Sequence, residues 1–411
     1  MDKSVTSSNK LFQYIKPYLI EKDKMSEHRA DRTTYLEYRD KILESFEATI
    51  EDWDSWKWQM ANRFTQPDSI ARLFNLTNDE LLEVETAAKY HRMAISPFLL
   101  ALLASSGTSI SKQFLPSILE KQNHHLGELD PMAEGETSPA PHLTQRYPDR
   151  VILNVTNICG SFCRFCQRRR NHGSEDVHVP LADLESAFDY IKHHREIRDV
   201  LITGGDPFTF TDKHLYALLE RVRQIPSVEM IRIGTRMPVV IPQRVTIGLT
   251  NIIREFAPLY VNIHINHPME ISPEMEEACR KLLLSGAVMG SQTVLLNGVN
   301  NSAYVLRYLF QLLLTMGVKP YYLFHAKDIA GTEHFRTSVS QGVQLIESLR
   351  GVTSGLAIPN YVVNMPGGLG KVVIKPEANI NGLEEDPILF KTWENRIVPY
   401  ANNNLKVNTD D

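Results

Sequence analysis

Cys159, Cys163 and Cys166 stand in the spacing C-x3-C-x2-C, and far downstream the stretch Asn364-Met-Pro-Gly-Gly-Leu-Gly-Lys371 ends on a lysine. Thiolates are soft ligands for zinc or iron–sulfur clusters. Three in one short loop suit three corners of a four-iron cube and leave the fourth iron for an exchangeable ligand. Zinc is the competing reading. A structural zinc site needs four closed ligands; no fourth cysteine lies near, and His172 is the candidate for that place. The lysine segment is not a P-loop, because Met365 stands where the first glycine belongs and Val372 follows the lysine. A glycine-rich turn presenting a lysine suits an imine with pyridoxal phosphate, provided burial lowers the amine's pKa. A solvated loop lysine is the plain alternative. Few enzymes need both an open cluster and such a lysine.

The elements that would position these groups show in the hydrophobic pattern. Residues 1–142 are rich in helix formers, with amphipathic stretches at 35–46 and 78–93. Residues 93–104 are the most apolar run, too short to span a bilayer, and predict a buried helix. Trp53, Trp56 and Trp58 fit core and interface packing better than a docking surface. Prolines and small residues over 127–143 predict a linker. From residue 151 onward, β-branched runs at 151–155, 199–203, 230–234, 259–265, 288–296 and 319–325 alternate with helical patterns at 181–194, 212–224, 244–256, 273–285 and 302–316. Six β–α units in a row predict a parallel sheet with helices outside, a partial (β/α)6 barrel. The expected division is 1–142 helical region and linker, 143–376 barrel with Lys371, and 377–411 a short C-terminal extension. Barrels place chemistry on loops after the strands. Both Cys159–Cys166 and Gly204-Gly205-Asp206 follow a predicted strand directly.

Composition narrows the class. A formal charge of -5 over 411 residues gives no electrostatic case for nucleic acid or an anionic membrane. Arg168, Arg169 and Arg170 suggest a site for a small anion instead. Four cysteines, three of them crowded together, do not make a disulfide framework and fit thiolate ligands in a reducing cytoplasm. Cys279, on an apparent amphipathic helix, reads as a small buried apolar residue. Residues 1–25 are polar and carry no apolar core of the kind a signal peptide has.

C-x3-C-x2-C with Phe165 before the last cysteine resembles the signature of the radical S-adenosylmethionine (SAM) enzymes, and Gly204-Gly205-Asp206 resembles their glycine-rich turn after the second strand. That resemblance implies a [4Fe-4S] cluster on Cys159, Cys163 and Cys166, with SAM chelated at the open iron and its amino group against residues 204–206. The wider chain resembles lysine 2,3-aminomutase and its relatives over about residues 35 to 400. The shared stretches include Trp53-x-x-Trp-x-Trp-Gln59, Leu143-Thr-Gln-Arg-Tyr-Pro-Asp-Arg150, residues 159–170, Ile231-Arg-Ile-Gly-Thr-Arg236, His264-Ile-Asn-His-Pro268, residues 292–300, Pro320-Tyr-Tyr322, residues 331–337 and 366–371. By that resemblance Lys371 holds pyridoxal phosphate, Arg146 and Arg150 clamp its phosphate, and Arg168 pairs with the substrate α-carboxylate. His264 and Gln292 line the surroundings of SAM and pyridoxal phosphate. An external electron donor of flavodoxin or ferredoxin type and a homo-oligomeric state are also implied.

Two departures from the lysine enzymes shape the expected substrate. Where they carry two aspartates that grip the ε-ammonium, this chain aligns Lys327 and Asn364. A lysine ammonium facing Lys327 would be repelled by roughly several kcal/mol, and a side-chain carboxylate attracted. This pair resembles the glutamate-acting members of the family, which interconvert L-glutamate and β-glutamate. A slip of one residue would put Asp328 in the pocket and restore a cationic preference. The second departure concerns metal: residues 400–411 contain no cysteine and Ser302 stands where a partner cysteine would be, so no zinc is expected.

Overall fold

The computed structural model describes residues 3–401 apart from 75, 377–379 and 384. Nine strands form one curled sheet in sequence order. They are β1 Leu143–Tyr147, β2 Arg150–Thr156, β3 Asp199–Gly204, β4 Met230–Thr235, β5 Leu259–His264, β6 Val288–Leu295, β7 Lys319–His325, β8 Asn360–Asn364 and β9 Lys371–Val373. From β2 to β8 every neighbouring pair is parallel, while β1 and β9 pair antiparallel at the two ends. The ends do not join, so the barrel is open. The six predicted strands are β2 to β7. The sheet also has β8 and β9, which bring Asn364 and Lys371 to the same edge, and β1, which carries Arg146.

Each barrel strand splits its residues between two faces, as the pleat requires. On β3, β4 and β5, Val200, Ile202, Ile231, Ile233, Val261 and Ile263 are fully buried beneath the outer helices. The alternate residues Leu201, Arg232, Tyr260 and Asn262 face a central cavity. The helices between strands start where the sequence offers caps: Thr211, Thr246 and Ser272 each accept a hydrogen bond from a backbone N–H in the first turn. Their observed ranges, Asp212–Arg223, Ile247–Glu255 and Pro273–Leu284, lie inside the predicted ones.

The N-terminal helices share one hydrophobic core with the barrel, running from Tyr35 through Phe98 and Phe114 to Tyr361. The apolar run forms the helix Pro97–Ser106, capped by Ser96, and Leu99, Leu100, Leu102 and Leu103 are all buried. Each such side chain contributes roughly 1.5–3 kcal/mol. Trp53 is buried with its ring edge-on to Tyr35 at 6.4 Å, and Trp56 lies under the Arg244 guanidinium at 4.6 Å. The tryptophans pack. Residues 127–142 have no helix or strand, yet they are not a free tether: Met132 and Glu134 are buried, and Glu128 bridges to Ile329. Cys279 is buried on its helix.

Within the C-terminal stretch, Ile388–Lys391 and Ile397–Tyr400 pair as a small antiparallel hairpin. Residues 402–411, on which the absence of C-terminal cysteines was read, lie outside the described residues. Among the described residues no helix is long and apolar enough to cross a membrane.

Candidate active site

The open barrel encloses a cavity of about 820 Å³, and every candidate site residue named from the sequence lines it: Arg146, Arg150, Cys159, Cys163, Cys166, Arg168, Gly204, Gly205, Asp206, His264, Gln292, Lys327, Asn364 and Lys371. At one end lie the cysteines, on the loop after β2. The end of β3 presses against that loop: Gly204 has φ +125°, and a Cβ at Gly205 would lie 2.7 Å from the Asn157 carbonyl carbon and closer still to the Ile158 oxygen. Only glycine permits this approach. The Asp206 carboxylate is consumed by the protein itself. It accepts from the Thr235 hydroxyl at 2.8 Å and from the backbone N–H groups of Phe208, Arg236 and Met237 at 3.0, 2.6 and 3.1 Å. Asp206 therefore fixes the turn, and the neighbouring backbone is what remains open to a ligand.

Burial pushes all three thiols above the ordinary thiol range, Cys166 to about 11. Their ionised form thus needs a cation. Two donors already face the sulfurs: the Arg168 N–H lies 3.4 Å from Cys166 Sγ, and Arg236 Nη1 lies 2.7 Å from Cys163 Sγ. Hydrogen bonds to sulfur are what an iron–sulfur cluster requires of its surroundings, and the loop fits one. The zinc alternative finds less. His172 Nε2 is 3.8 Å from Cys166 Sγ, but its ring stacks on Phe162 at 4.1 Å and His91 at 4.9 Å. Among the described residues no three His, Cys, Asp or Glu side chains, the three cysteines included, are grouped as around a single ion, which does not separate zinc from a cluster.

His264, the last residue of β5, lies in direct register with Gln292 within β6. The His264 ring stacks on Phe165 at 5.6 Å, and burial holds it neutral, well below the usual imidazole range.

Lys371 opens β9 at the other end. Its N–H donates to the Tyr147 hydroxyl at 2.8 Å, and its Nζ lies 5.6 and 5.8 Å from the ring centres of Tyr147 and Tyr322. The residue is exposed by surface area and lines the cavity. Burial, then the guanidinium groups of Arg232, Arg150, Arg146 and Arg168, bring the amine down to about 8. That is the property a carbonyl-binding lysine needs. Arg150 stacks on Tyr147 at 4.0 Å. Arg146 and Arg168 both line the cavity, which suits both for an anion such as phosphate or carboxylate.

Glu134, in the segment read as a linker, was missed. One of its oxygens accepts from Arg146 at 3.0 Å and Arg168 at 2.9 Å, the other from Arg170 at 3.0 Å. Although burial alone would raise it, Arg168 and Arg146 hold its carboxyl down at about 2. The signal available was indirect: three arginines close together need a counterion. The idea of one anion site built from Arg168, Arg169 and Arg170 gives way here. Arg168 faces the cavity, Arg169 pairs with buried Glu120 at 2.7 Å, and Arg170 with Asp130 and Glu134.

Lys327 lies inside the cavity and donates to the Gln167 side-chain carbonyl. Its neighbour Asp328 points away, half exposed and paired with Arg336 at 3.2 Å. Burial and the charges of Arg168 and Arg146 drive the Lys327 amine well below its ordinary value. It lacks an anion. Asn364 Nδ2 is buried without a partner. Eight basic side chains line the cavity against two carboxylates, Asp199 and Asp206. Both carboxylates are committed, Asp199 to Arg232 at 2.7 Å.

Comparison with known proteins agrees with this geometry. Residues 153–298 match the Radical SAM superfamily and residues 346–410 match Lysine-2,3-aminomutase. The chain is 44% identical over 362 residues to the glutamate 2,3-aminomutase of Clostridioides difficile, covering 88% of this chain and 85% of that protein. It is 42% identical to the L-lysine 2,3-aminomutase of Fusobacterium nucleatum, over 86% of this chain and 83% of that one. With the L-lysine 2,3-aminomutase of Clostridium subterminale it shares 40%, over 85% and 84%.

Proposed function

The chain belongs to the lysine 2,3-aminomutase family of radical SAM isomerases, and from that premise we propose that it interconverts L-glutamate and β-glutamate. The carrying observation is the side-chain amine of Lys327 inside the cavity, with an unpartnered Asn364 amide on the same lining and no free carboxylate among the described cavity residues to receive a substrate ammonium. The 44% identity to a glutamate 2,3-aminomutase supports the same substrate.

When bound, the cluster and SAM supply a hydrogen-abstracting radical, and pyridoxal phosphate supplies the conjugated system that eases migration of nitrogen from C2 to C3. The chain supplies position and charge. Cys159, Cys163 and Cys166 hold the cluster, while the Gly204–Gly205 backbone, His264 and Gln292 form the walls around SAM. Lys371 would hold pyridoxal phosphate through its amine, whose pKa of about 8 leaves it partly unprotonated near neutral pH. Arg146 and Arg150 face the phosphate, and Arg168 takes the substrate α-carboxylate. Lys327 and Asn364 take the side-chain carboxylate, the first by charge and the second by an N–H. In this reading an external flavodoxin- or ferredoxin-type donor delivers the electron, the enzyme works as a homo-oligomer in a reducing cytoplasm, and zinc has no part.

The test is turnover. Anaerobically reconstituted enzyme is offered L-glutamate, L-lysine and L-aspartate, and β-amino acid products are separated by chromatography. Glutamate should turn over best. Lysine as the best substrate would remove the reading.

A further inference from the structure

Arg236 has no part in the roles given above, yet it is 7% exposed and touches a cluster ligand. It follows β4, one residue beyond Thr235, where the backbone is fixed by the Asp206 carboxylate. Its guanidinium spans two environments. Nη1 donates to Cys163 Sγ at 2.7 Å, and Nη2 donates to Gln113 Oε1 and Glu270 Oε2, both at 2.8 Å. The plane is held from its faces by Phe114 at 4.4 Å and Phe165 at 5.6 Å.

The supports are themselves fixed. Glu270 is fully buried, and its other oxygen accepts from Gln113 Nε2 at 2.9 Å and Asn266 N at 3.1 Å. Asn266 Nδ2 returns a hydrogen bond to Gln113 Oε1 at 2.8 Å. Apart from Arg236 Nε, which has no partner, the guanidinium is tied to a buried polar network at the cavity wall that limits its freedom to reorient. It aims one N–H at one sulfur.

We infer that Arg236 is a redox-positioning residue: held by Glu270 and Gln113, it donates a charge-assisted hydrogen bond to the Cys163 sulfur and makes the bound cluster easier to reduce. Adding an electron to a tris-thiolate four-iron cluster increases its negative charge, and a fixed cation with an N–H on a ligand sulfur stabilises that state more than the oxidised one. Glu270 works against it. Its carboxylate damps the cation, so the Arg236–Glu270 pair sets the potential between two extremes. The inference rests on the cysteines holding the cluster.

Two substitutions shift the couple in opposite directions. In SAM-free, anaerobically reconstituted protein, the reduced cluster is titrated by electron paramagnetic resonance against solution potential. Arg236→Gln removes the cation and should lower the reduced-to-oxidised ratio at a given potential about tenfold, which for one electron is about 59 mV. Glu270→Gln keeps the guanidinium and removes the damping charge, so the ratio should rise. Arg236→Lys keeps the charge and should fall between Arg236→Gln and the parent. Should Arg236→Gln fail to fold, Glu270→Gln and Arg236→Lys carry the test. Unchanged potentials with normal iron content overturn the role of Arg236 and leave the cluster assignment standing. Loss of SAM affinity without a shift in potential also overturns it, assigning the guanidinium to the ligand. Failure of the parent protein to assemble any cluster refutes the cysteine assignment instead.

Discussion

Replacing Lys327 by Met removes one buried charge while keeping the length and apolar volume of the stem. Burial, Arg168 and Arg146 disfavour the protonated form of the Lys327 amine, and Glu134 favours it. An anionic ligand beside it would favour the ammonium. At contact distance, roughly 4 Å, and an effective dielectric of about 20, the attraction between Lys327 and a side-chain carboxylate is about 4 kcal/mol. Truncating one partner of such a buried pair costs about 2–5 kcal/mol. With every 1.4 kcal/mol worth about tenfold, Lys327→Met should lower kcat/KM for glutamate by roughly 30- to 4000-fold. For lysine the same change relieves a repulsion, so its kcat/KM should rise from whatever trace it has. The assay is competitive turnover of the two substrates by one preparation, with iron content and pyridoxal absorbance measured to show the site is otherwise loaded. A fall of equal size for both substrates would refute the electrostatic reasoning, because general damage to the cavity does not distinguish the sign of the substrate's tail.

Lys371→Ala should abolish the imine absorbance while leaving iron content and the reduced-cluster signal intact; loss of both would place Lys371 in the fold rather than on pyridoxal phosphate. In the parent enzyme, the rate of imine formation should climb with pH and level off above about 8, because only the unprotonated amine reacts and burial, with the arginines around it, lowers its pKa to that value. Gly205→Ala puts a methyl group against the Asn157–Ile158 backbone, and should weaken SAM binding, read by equilibrium dialysis, at least tenfold. Glu134→Gln leaves Arg146, Arg168 and Arg170 without their shared counterion and should destabilise the protein by roughly 3 kcal/mol at pH 7 in urea unfolding. The carboxyl titrates at 4.5 in a free chain and about 2 when folded. Its stabilisation is thus complete above 4.5 and is lost as pH falls toward 2, so the gap between variant and parent should narrow over that window.

The parallel strands were legible because each is a β-branched run between two amphipathic helical patterns, and the cysteines and Lys371 were legible because their spacing is chemically unusual. What escaped has physical reasons. β1 and β8 are five residues long and β9 is three, too short for a period to declare itself. Residues 127–142 lack periodicity altogether, so Glu134, on which three guanidiniums converge, looked like one acid in a linker. Arg232 and Arg236 interrupt or follow a strand of apolar residues, and a charged residue inside such a strand was the available sign that the barrel's inner face is wet rather than packed. The choice between Lys327 and Asp328 could not be read from sequence, since adjacent residues in a loop differ only in where the backbone aims them.

A barrel interior normally fills with layers of branched apolar side chains. Here cations stand in that place, and eight of them with two committed carboxylates would repel one another without relief. Glu134 and Glu270 supply part of that relief from outside the cavity wall, both buried and paired with cavity-lining arginines. The arrangement leaves the inner ends of the cations unsatisfied. A phosphate and two carboxylates, the anions of pyridoxal phosphate and a dicarboxylic amino acid, would satisfy Arg146, Arg168 and Lys327 respectively. A dibasic amino acid brings only one carboxylate and adds an ammonium next to Lys327. The charge balance of the wall thus favours glutamate over lysine independently of any single contact, which is why neutralising Lys327 alone should blur the preference and not invert it, inversion requiring an added acid at 327 or 364.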